Sequence, residues 1–296
     1  MKERQNKEQS KTETKNQFCY PIKETIFDAL EFINNRYKSK QNKESIKSGF
    51  GFLEFQKGEL IVLSARAGIE TSDFIFNLLK KMSIENKNKV GLIVPGNYQE
   101  ANIGLRIISL ISQVSTEKIK RGLIKINDVK RMQKASEKIF KSPIYRMNIP
   151  NCCLLDIELS VKKMVKEQNV KFIIIMGFEY IEEIVEDFEK DIYRFTLNYV
   201  LAEIKKLAEN YNIPILIQIQ LPPAEDHHIP VLTDFTKYLI IPTKANKVLF
   251  IDRDSIDDGY KFQDTLLLVA KNESGITGDI PLSYQLATGI IKNKKI

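Results

Sequence analysis

Short apolar runs alternate with amphipathic segments over most of this chain. Continuous apolar runs predict buried strands at "ELIVLSA", "KVGLIVPG", "KFIIIMG" and "IPILIQIQL". Helical spacing lies between them: Phe74, Leu78 and Met82 share one face after the first run, and an apolar stripe from Leu197 to Tyr211 precedes the last. Strands that are apolar throughout and alternate with helices are typical of a mostly parallel sheet covered on both faces. The pattern therefore predicts an α/β fold whose ligands bind at the carboxyl ends of the strands.

The two ends of the chain differ from this alternating body. Residues 1–17 are polar and lack the apolar stretch of a signal peptide, so we expect a disordered tail. Residues 18–47 form a linker-like segment with one predicted helix, and residues 48–296 form the main domain. The predicted helix rests on four apolar positions that share one face: Ile22, Ile26, Leu30 and Ile33. The main domain is expected to end in further strands at "NKVLFIDRD" and "DTLLLVAKN" and a strand pair at "GDIPLSYQLATGII".

Composition places the chain among ordinary globular proteins. It has 296 residues, of which 43% are hydrophobic and 28% charged, and it has no apolar run long enough for a transmembrane helix. The three cysteines, Cys19, Cys152 and Cys153, suit a reducing cytoplasm, and the adjacent pair lacks the spacing of a zinc or redox site. His227 and His228 are neighbours in a Pro-flanked segment, for which we expect a surface loop rather than a metal site.

Positive charge is concentrated in one part of the chain. The net charge is +7, and Thr116–Arg146 alone holds ten Lys and Arg against three Asp and Glu, arranged as two helices broken near "GLIKIND". Two interpretations stay open: a surface that contacts nucleic acid or an acidic partner, or two solvated helices. Six side chains are the candidate contacts: Lys118, Lys120, Arg121, Lys125, Lys130 and Arg131.

The first predicted strand runs into a turn with the layout of a phosphate-binding loop. The turn reads "ARAGIETS", where a P-loop reads G-x-x-x-x-G-K-[ST]. Glu70 and Thr71 therefore stand where the glycine and the lysine are expected, and Ser72 keeps the hydroxyl position.

Segments along the chain, taken in order, resemble the C-terminal motor domain of DnaB-type replicative DNA helicases. The resemblance covers about Ser48 to Ile291 and rests on "QKGELIVLSARAG", the basic "EKIKRGLIKINDVKRMQKASEKIF", "EIKKLAENYNIPILIQIQL", "PVLTDF", "VLFIDRD" and "VAKNESGITGDIPLSY". It implies a RecA-like P-loop NTPase fold, a nucleotide site at the turn after the first strand, and an ATP-dependent motor.

The departures from the family's pattern fall on its chemistry. At the turn, the resemblance places Arg66, Gly68, Glu70, Thr71 and Ser72 at the phosphate, and a carboxylate at position 70 opposes phosphate binding. Elsewhere it assigns five further positions. The family's catalytic glutamate falls on or near Gly96, its magnesium aspartate on Met176, a retained glutamine on Gln220, a retained lysine on Lys271 and the arginine finger on Glu273.

These departures predict a DnaB-like protein of DNA replication that keeps the fold without hydrolysing ATP. It would act as a scaffold or regulator, as a homo-oligomer or with a replicative helicase or an initiator, with no catalytic residue, no metal, no cofactor and no membrane. The resemblance implies that Glu182–Asp191 is a loop facing the family's central channel, and its six acids and one lysine would oppose a DNA backbone. Two alternatives stay open. One is an active or semi-active helicase subunit that binds ATP and Mg²⁺ through Arg66, Ser72 and Gln220. The other is a DNA-binding module without motor activity.

Overall fold

The computed structural model divides the chain into two compact units, residues 1–43 and 44–296. In the first unit it describes helical residues at 22–23, 26–27, 29–31 and 33, and the four apolar side chains of the predicted helix are helical and exposed. In the second unit it describes residues 45–96, 100–185, 190–221, 228–238, 240–253 and 258–294. The predicted tail at 1–17, Cys19 and His227 lie outside the described residues.

The described part of the second unit is built on one nine-stranded sheet with the order β11-β10-β9-β8-β3-β7-β6-β4-β5, beside a two-stranded ribbon of β1 and β2. The strands are β1 Ile46–Lys47, β2 Glu54–Phe55, β3 Leu60–Ala65, β4 Val90–Pro95, β5 Ile144–Ile149, β6 Phe172–Ile175, β7 Ile215–Gln220, β8 Lys247–Asp252, β9 Gln263–Asn272, β10 Gly278–Gln285 and β11 Ile290–Asn293. Neighbouring strands from β8 to β5 are parallel, and β9, β10 and β11 continue the sheet in antiparallel pairing. The predicted mostly parallel α/β sheet and the C-terminal strand pair are confirmed.

Helices cover both faces of this sheet. They are α1 Thr71–Leu79, α2 Glu100–Ser112, α3 Thr116–Lys120, α4 Ile126–Phe140, α5 Leu154–Gln168, α6 Glu182–Val185, α7 Lys190–Tyr211 and α8 Ile240–Lys244. A π-helical turn, Lys80–Glu85, extends α1, and short 3₁₀ turns lie at Phe178–Tyr180 and Leu232–Tyr238. No helix among these described residues is long and apolar enough to cross a membrane.

Alternate residues of the central strands enter two separate cores. Ile61 and Leu63 of β3 pack with α1 and α2, whereas Leu60 and Val62 pack with α5 and α7 on the other face. Side chains of a strand point alternately to opposite faces, so a strand covered on both sides must be apolar at every position. This is why β3 and β4 read as uninterrupted apolar runs and are fully buried.

Two local features differ from the sequence-based expectations. "IYRMNI" forms the edge strand β5, which the alternation of apolar runs did not predict, because all six of its residues are only half buried. The acidic stretch from Glu182 was expected to be a loop, but its first four residues form α6 and its last two begin α7. The two helices of the basic segment are confirmed, and the break between them lies at residues 121–125.

The strand order decides which turns meet at the carboxyl edge of the sheet. β3, β7, β6 and β4 are consecutive neighbours and parallel, so the residues that follow them come together at one edge. The turn after Ala65, together with Gly96, Met176 and Gln220, therefore lies at this edge.

Candidate functional site

The turn from β3 into α1 is shaped without a glycine at position 70. Gly68 has φ +87°, with open space around the place of a Cβ, and the Ile69 amide donates to the Arg66 carbonyl over 3.1 Å. Glu70 lies directly before α1 with φ −76° and ψ 90°, an extended conformation that any residue adopts. The backbone therefore accommodates glutamate where the P-loop pattern has glycine.

A cleft of about 220 Å³ opens at this turn. It is smaller than the roughly 300–1,000 Å³ of sites that enclose a small-molecule ligand. Its walls bring together six of the residues predicted from the sequence with five that sequence reasoning did not single out. They are Gly68, Ile69, Glu70, Thr71, Ser72, Met176, Gly177, Glu179, Tyr180, Gln218 and Gln220.

The Glu70 carboxylate lies at the start of α1 and is held by two donors. The Ser72 hydroxyl donates to Glu70 Oε2 over 2.9 Å, and Arg106 Nη1 donates to the same oxygen over 3.1 Å. The positive end of a helix dipole favours an anion at this place. A protein carboxylate thus occupies the end of the helix that would attract phosphate, and it engages the hydroxyl that would hold magnesium.

Arg106 also ties α2 to a buried carboxylate on α1. Its Nη2 lies 2.9 Å from Asp73 Oδ1, and the Tyr284 hydroxyl donates to Asp73 Oδ2 over 2.6 Å. Desolvation raises the pKa of Asp73, although Arg106 and Tyr284 act in the opposite direction. Asp73 and Arg106 line a larger cavity of about 610 Å³, together with Lys120, Tyr260 and Thr288.

Thr71 makes a contact within the protein where the P-loop lysine would reach the phosphates. Gln218 Nε2, on β7, donates to Thr71 Oγ1 over 2.5 Å. Met176 follows β6 and is 2% exposed, and its thioether is a poor ligand for a hard cation. Among the described residues no group of three His, Cys, Asp or Glu side chains is placed to hold a metal ion.

Glu179 is the residue of the cleft that sequence reasoning missed most clearly. It lies in the 3₁₀ turn after β6, and its Oε2 is buried without a hydrogen-bond partner among the described residues. Desolvation raises the pKa of Glu179 above its ordinary value. Its place three residues after Met176 was the available signal, since residues just beyond a central strand lie at the carboxyl edge.

Arg66 lies beside the cleft, and its guanidinium contacts His228 and Asp234 in the segment that leads into the Leu232–Tyr238 turn. Nη2 donates to Asp234 Oδ2 over 2.8 Å, and Nε donates to the His228 carbonyl over 3.2 Å. The His228 ring nitrogen Nε2 is 2.6 Å from Arg66 Nη2 and 2.9 Å from Asp234 Oδ1. Desolvation by itself would raise the pKa of Asp234. The Val231 amide, His228 and Arg66 outweigh this effect, so the pKa of Asp234 lies below its ordinary value. Arg66 therefore anchors this segment to the P-loop turn.

Gly96 directly follows β4 and packs against Tyr180. Its amide donates to the Ile149 carbonyl over 2.9 Å, and its φ is +77°. A Cβ at this position would lie 2.9 Å from Tyr180 Cβ. The position expected to hold the family's glutamate therefore has neither the backbone conformation nor the space for it.

Lys271 and Glu273 lie at the opposite edge of the sheet from the cleft. Lys271 Nζ donates to the carbonyls of Pro242 and Ala245 over 2.9 and 2.7 Å, and lies 2.8 Å from Glu273 Oε1. Glu273 Oε2 accepts from Asn246 Nδ2 over 2.7 Å, next to the start of β8. Desolvation by itself would raise the pKa of Glu273. The hydrogen bonds from Lys271 and Asn246 outweigh this effect, so the pKa of Glu273 lies below its ordinary value. The structure thus brings the turn residues, Met176 and Gln220 together and leaves this pair apart from them.

The six candidate cations of the basic segment are all exposed. Two of them pair with acids of their own helix region: Arg121 with Glu117 at 2.9 Å, and Arg131 with Asp128. Exposed apolar side chains, among them Leu123, Ile126 and Phe140, lie between these cations along the chain.

The two cysteines that the structure describes form no disulfide. Cys152 is buried and Cys153 is half buried, and both are free thiols.

Comparison with known proteins decides what kind of domain carries this cleft. The model of the DnaB-like helicase C terminal domain matches residues 46–293. The chain belongs to this family. The predicted relationship and the RecA-like fold are confirmed.

Relatives and solved structures agree with the family. The replicative DNA helicase DnaB of Treponema pallidum (strain Nichols) is 25% identical over 273 residues, which cover 89% of this chain and 59% of the relative. The DnaB of Mycoplasma pneumoniae is 28% identical over 289 residues, covering 88% and 59%. This DnaB-like chain therefore spans about three fifths of the length of these relatives. In fold, it superposes on a solved ATPase domain with TM-score 0.76 at 18% identity, over 91% of this chain and 99% of that one. It superposes on a DnaB-like replicative helicase, studied with its primase interactions, with TM-score 0.75 at 19% identity, over 90% and 66%.

Proposed function

We propose that this DnaB-like domain serves DNA replication as a scaffold or regulatory subunit that does not hydrolyse ATP. One observation carries the proposal: the Glu70 carboxylate, held by Ser72 and Arg106, lies at the end of α1 where a phosphate would bind. A nucleotide would have to displace it, and the polyphosphate would meet a like charge.

The other chemical groups of an ATPase are also replaced. Thr71 brings no charge to a β- or γ-phosphate and is bound to Gln218. Met176 offers a thioether where magnesium needs oxygen ligands, and Gly96 carries no base. Glu273 has a negative charge at the position where the family has the arginine that reaches a neighbouring subunit. A functional ATPase would have to replace all of these roles at once, whereas a scaffold needs only the fold and its surfaces.

The partners we propose are a replicative helicase subunit, a replication initiator or a second copy of this chain, in the cytoplasm. The matching relatives are named replicative DNA helicases, and one solved neighbour was determined for its interactions with primase. The exposed apolar face formed by Ile22, Ile26, Leu30 and Ile33 gives the first unit a surface suited to another chain.

The decisive experiment measures Mg²⁺-dependent phosphate release by the purified full chain, with and without single-stranded DNA. We expect no turnover above a no-enzyme blank. Turnover that depends on Mg²⁺ and is lost in Ser72→Ala would overturn the proposal in favour of an active subunit. Thermal unfolding at millimolar ATP tests the semi-active alternative, since a bound nucleotide raises the free energy of unfolding by RT ln(1 + [L]/Kd). A rise in the unfolding temperature with ATP would support that alternative, and no shift would exclude it.

A DNA-binding role without motor activity is the second candidate, because all six candidate cations of the basic segment are exposed. Binding to phosphates through them predicts an affinity that falls steeply with salt and equally for all sequences. Charge reversal at Lys120, Arg121 and Lys130 should weaken it, while reversal at Lys206, on α7, serves as the control. Absent or salt-independent binding would remove this candidate.

A further inference from the structure

A groove of about 350 Å³ lies between α5 and α7. The two helices contact each other and cover the same face of the sheet, where Ile157 of α5 and Leu201 of α7 belong to one core. Among the residues that the structure describes, this α5–α7 groove shares no lining residue with the cleft at the P-loop turn. It is large enough to receive side chains of another molecule, since binding sites measure roughly 300–1,000 Å³.

Exposed apolar side chains border the α5–α7 groove. Leu155 on α5 and Tyr199 on α7 line it and are 59% and 52% exposed. Leu159 and Phe195 are also exposed, and each lies one helical turn from one of them, which places it on the same face of its helix. Single exposed apolar residues are common on protein surfaces, but four of them on two adjacent helices beside a groove are typical of an interaction site.

Negative charge dominates the walls of the α5–α7 groove. Its charged lining residues are Glu158, Glu183, Glu203 and Lys206, three negative charges against one positive, which gives a local net charge of −2. Lys206 Nζ already donates to Glu203 Oε1 over 2.6 Å. The Glu183 carboxylate accepts from the Leu154 amide over 2.8 and 3.0 Å, which fixes it beside the start of α5. The groove therefore favours a molecule that brings cations together with apolar groups.

The shape of the α5–α7 groove suits a helix. Two helices packed side by side leave a groove on their outer surface into which the side chains of a third helix can pack. Such a helix binds through an apolar stripe at helical spacing, which would contact Leu155 and Tyr199. Lysine or arginine beside the stripe would meet Glu158 and Glu183. The groove therefore fits an amphipathic helix whose apolar stripe is flanked by cations.

Helices of this chain fit the α5–α7 groove less well. Residues 22–33, which carry the exposed apolar face of the first unit, contain one lysine and three acids, so their charge has the same sign as that of the groove. The helix α4 is basic, but its exposed large apolar side chains, Ile126 and Phe140, lie at its two ends and form no stripe. Charge and pattern thus favour a helix from a different protein.

We propose that the α5–α7 groove binds a basic amphipathic helix of another protein. The inference rests on the proposed scaffold function and names the chemistry of one partner. Leu155 and Tyr199 supply the apolar contact, and the glutamates of the walls pair with the cations of the bound helix.

The test measures the binding of three labelled synthetic peptides to the full chain by fluorescence anisotropy. The first peptide, about four helical turns long, has leucine at helical spacing and lysine at the other positions, and we expect it to bind. The second has glutamate in place of every lysine. The third has the composition of the first in strict alternation, which gives no apolar stripe on a helix. Neither of these two should bind, and added salt should weaken the binding of the first, since exposed charges are screened.

Variants of the groove locate the binding. Leu155→Ser and Tyr199→Ser each remove an apolar contact and should weaken the first peptide by about tenfold or more. Glu158→Lys should weaken it about two- to fivefold and reduce its salt dependence. The matched controls are Leu123→Ser, outside the groove, and Glu167→Lys, on the opposite side of α5, which should leave binding unchanged. All five side chains are exposed, and circular dichroism checks that each variant folds. If Leu155→Ser does not fold, Tyr199→Ser and Glu158→Lys carry the test.

Equal binding of the glutamate peptide or of the alternating peptide, or full binding by both serine variants, would overturn the proposal. Two further results would also overturn it, because they assign the groove to this chain. One is tighter binding of a peptide of residues 22–33 than of the lysine peptide, and the other is a fall in the oligomeric mass of the chain on Leu155→Ser. ATP turnover by the wild-type chain would refute the scaffold function and leave these binding results unaffected, whereas absent peptide binding without turnover refutes only the groove proposal.

Discussion

Gly96 lies so close to Tyr180 that a Cβ on the glycine would stand 2.9 Å from the Cβ of the tyrosine. Gly96 also has φ +77°, a conformation that side chains of L-residues rarely adopt. Two independent physical reasons, the backbone conformation and the contact with Tyr180, therefore exclude a glutamate from position 96, directly after β4.

The first prediction compares two glycines with similar backbones and different surroundings. Gly68→Ala adds a methyl group in open space at φ +87° and should cost about 1–2 kcal/mol for the left-handed backbone alone. Gly96→Ala adds the collision with Tyr180 and should cost about 1–3 kcal/mol more. Urea unfolding of both variants measures the difference, and equal costs would contradict the close packing at Gly96.

The second prediction concerns restoring the phosphate loop. Glu70→Gly with Thr71→Lys removes the carboxylate and supplies the missing cation, so ATP should raise the unfolding temperature of the double variant. At ligand concentrations of 100 Kd the gain is about 2.7 kcal/mol. Thr71→Lys alone is the control and should respond less, because Glu70 remains to pair with the new lysine. Phosphate release should stay absent in both, since Met176 and Gly96 still supply neither magnesium ligand nor base. Turnover by the double variant would show that these two positions are dispensable.

The third prediction is a pH dependence centred on Glu179. Because desolvation raises the pKa of Glu179 in the folded state above its ordinary value of 4.5, its contribution to stability is present below that value and is lost as the pH rises through the raised pKa. Glu179→Gln should therefore be more stable than the wild type at neutral pH, and the difference should vanish in acid. Unfolding at a series of pH values checks this, with the exposed Glu158→Gln as control. An advantage for glutamine that persists unchanged below the ordinary pKa would contradict burial as the cause.

The fourth prediction separates a buried arginine from an exposed one. Arg66→Ala removes contacts to Asp234 and His228 and leaves the Asp234 carboxylate, whose side chain is 14% exposed, without its cation. The expected cost is about 3 kcal/mol or more, as for breaking a buried pair. Arg66→Lys should recover little of it, since an ammonium cannot reproduce the two-sided contact. Arg121→Ala breaks an exposed pair with Glu117 and should cost less than about 1 kcal/mol. Faster amide exchange at Val231 in the Arg66 variants would locate the loss at this segment.

Much of the fold followed from local pattern. The uninterrupted apolar runs predicted β3, β4, β6 and β7 because strands covered on both faces cannot carry polar side chains. The edge strand β5 was missed for the same reason, since an edge strand is half buried and its sequence shows no such run. The acidic stretch after Ile181 was expected to be a loop, yet it contains α6 and the start of α7, because charge alone does not forbid a helix.

By itself, the sequence determined the α/β class and the family, and it predicted the positions at which this chain departs from the family's phosphate-site pattern. Tertiary structure alone decided what those residues touch. In the folded chain Arg66 donates a hydrogen bond to Asp234, 168 residues further along the sequence, and Tyr180 packs against Gly96. It also placed Glu179, in the turn after β6, and Gln218, on the neighbouring strand β7, in the wall of one cleft. Burial periodicity is a property of each segment, whereas these contacts depend on the order of the strands in the sheet, which no single segment encodes.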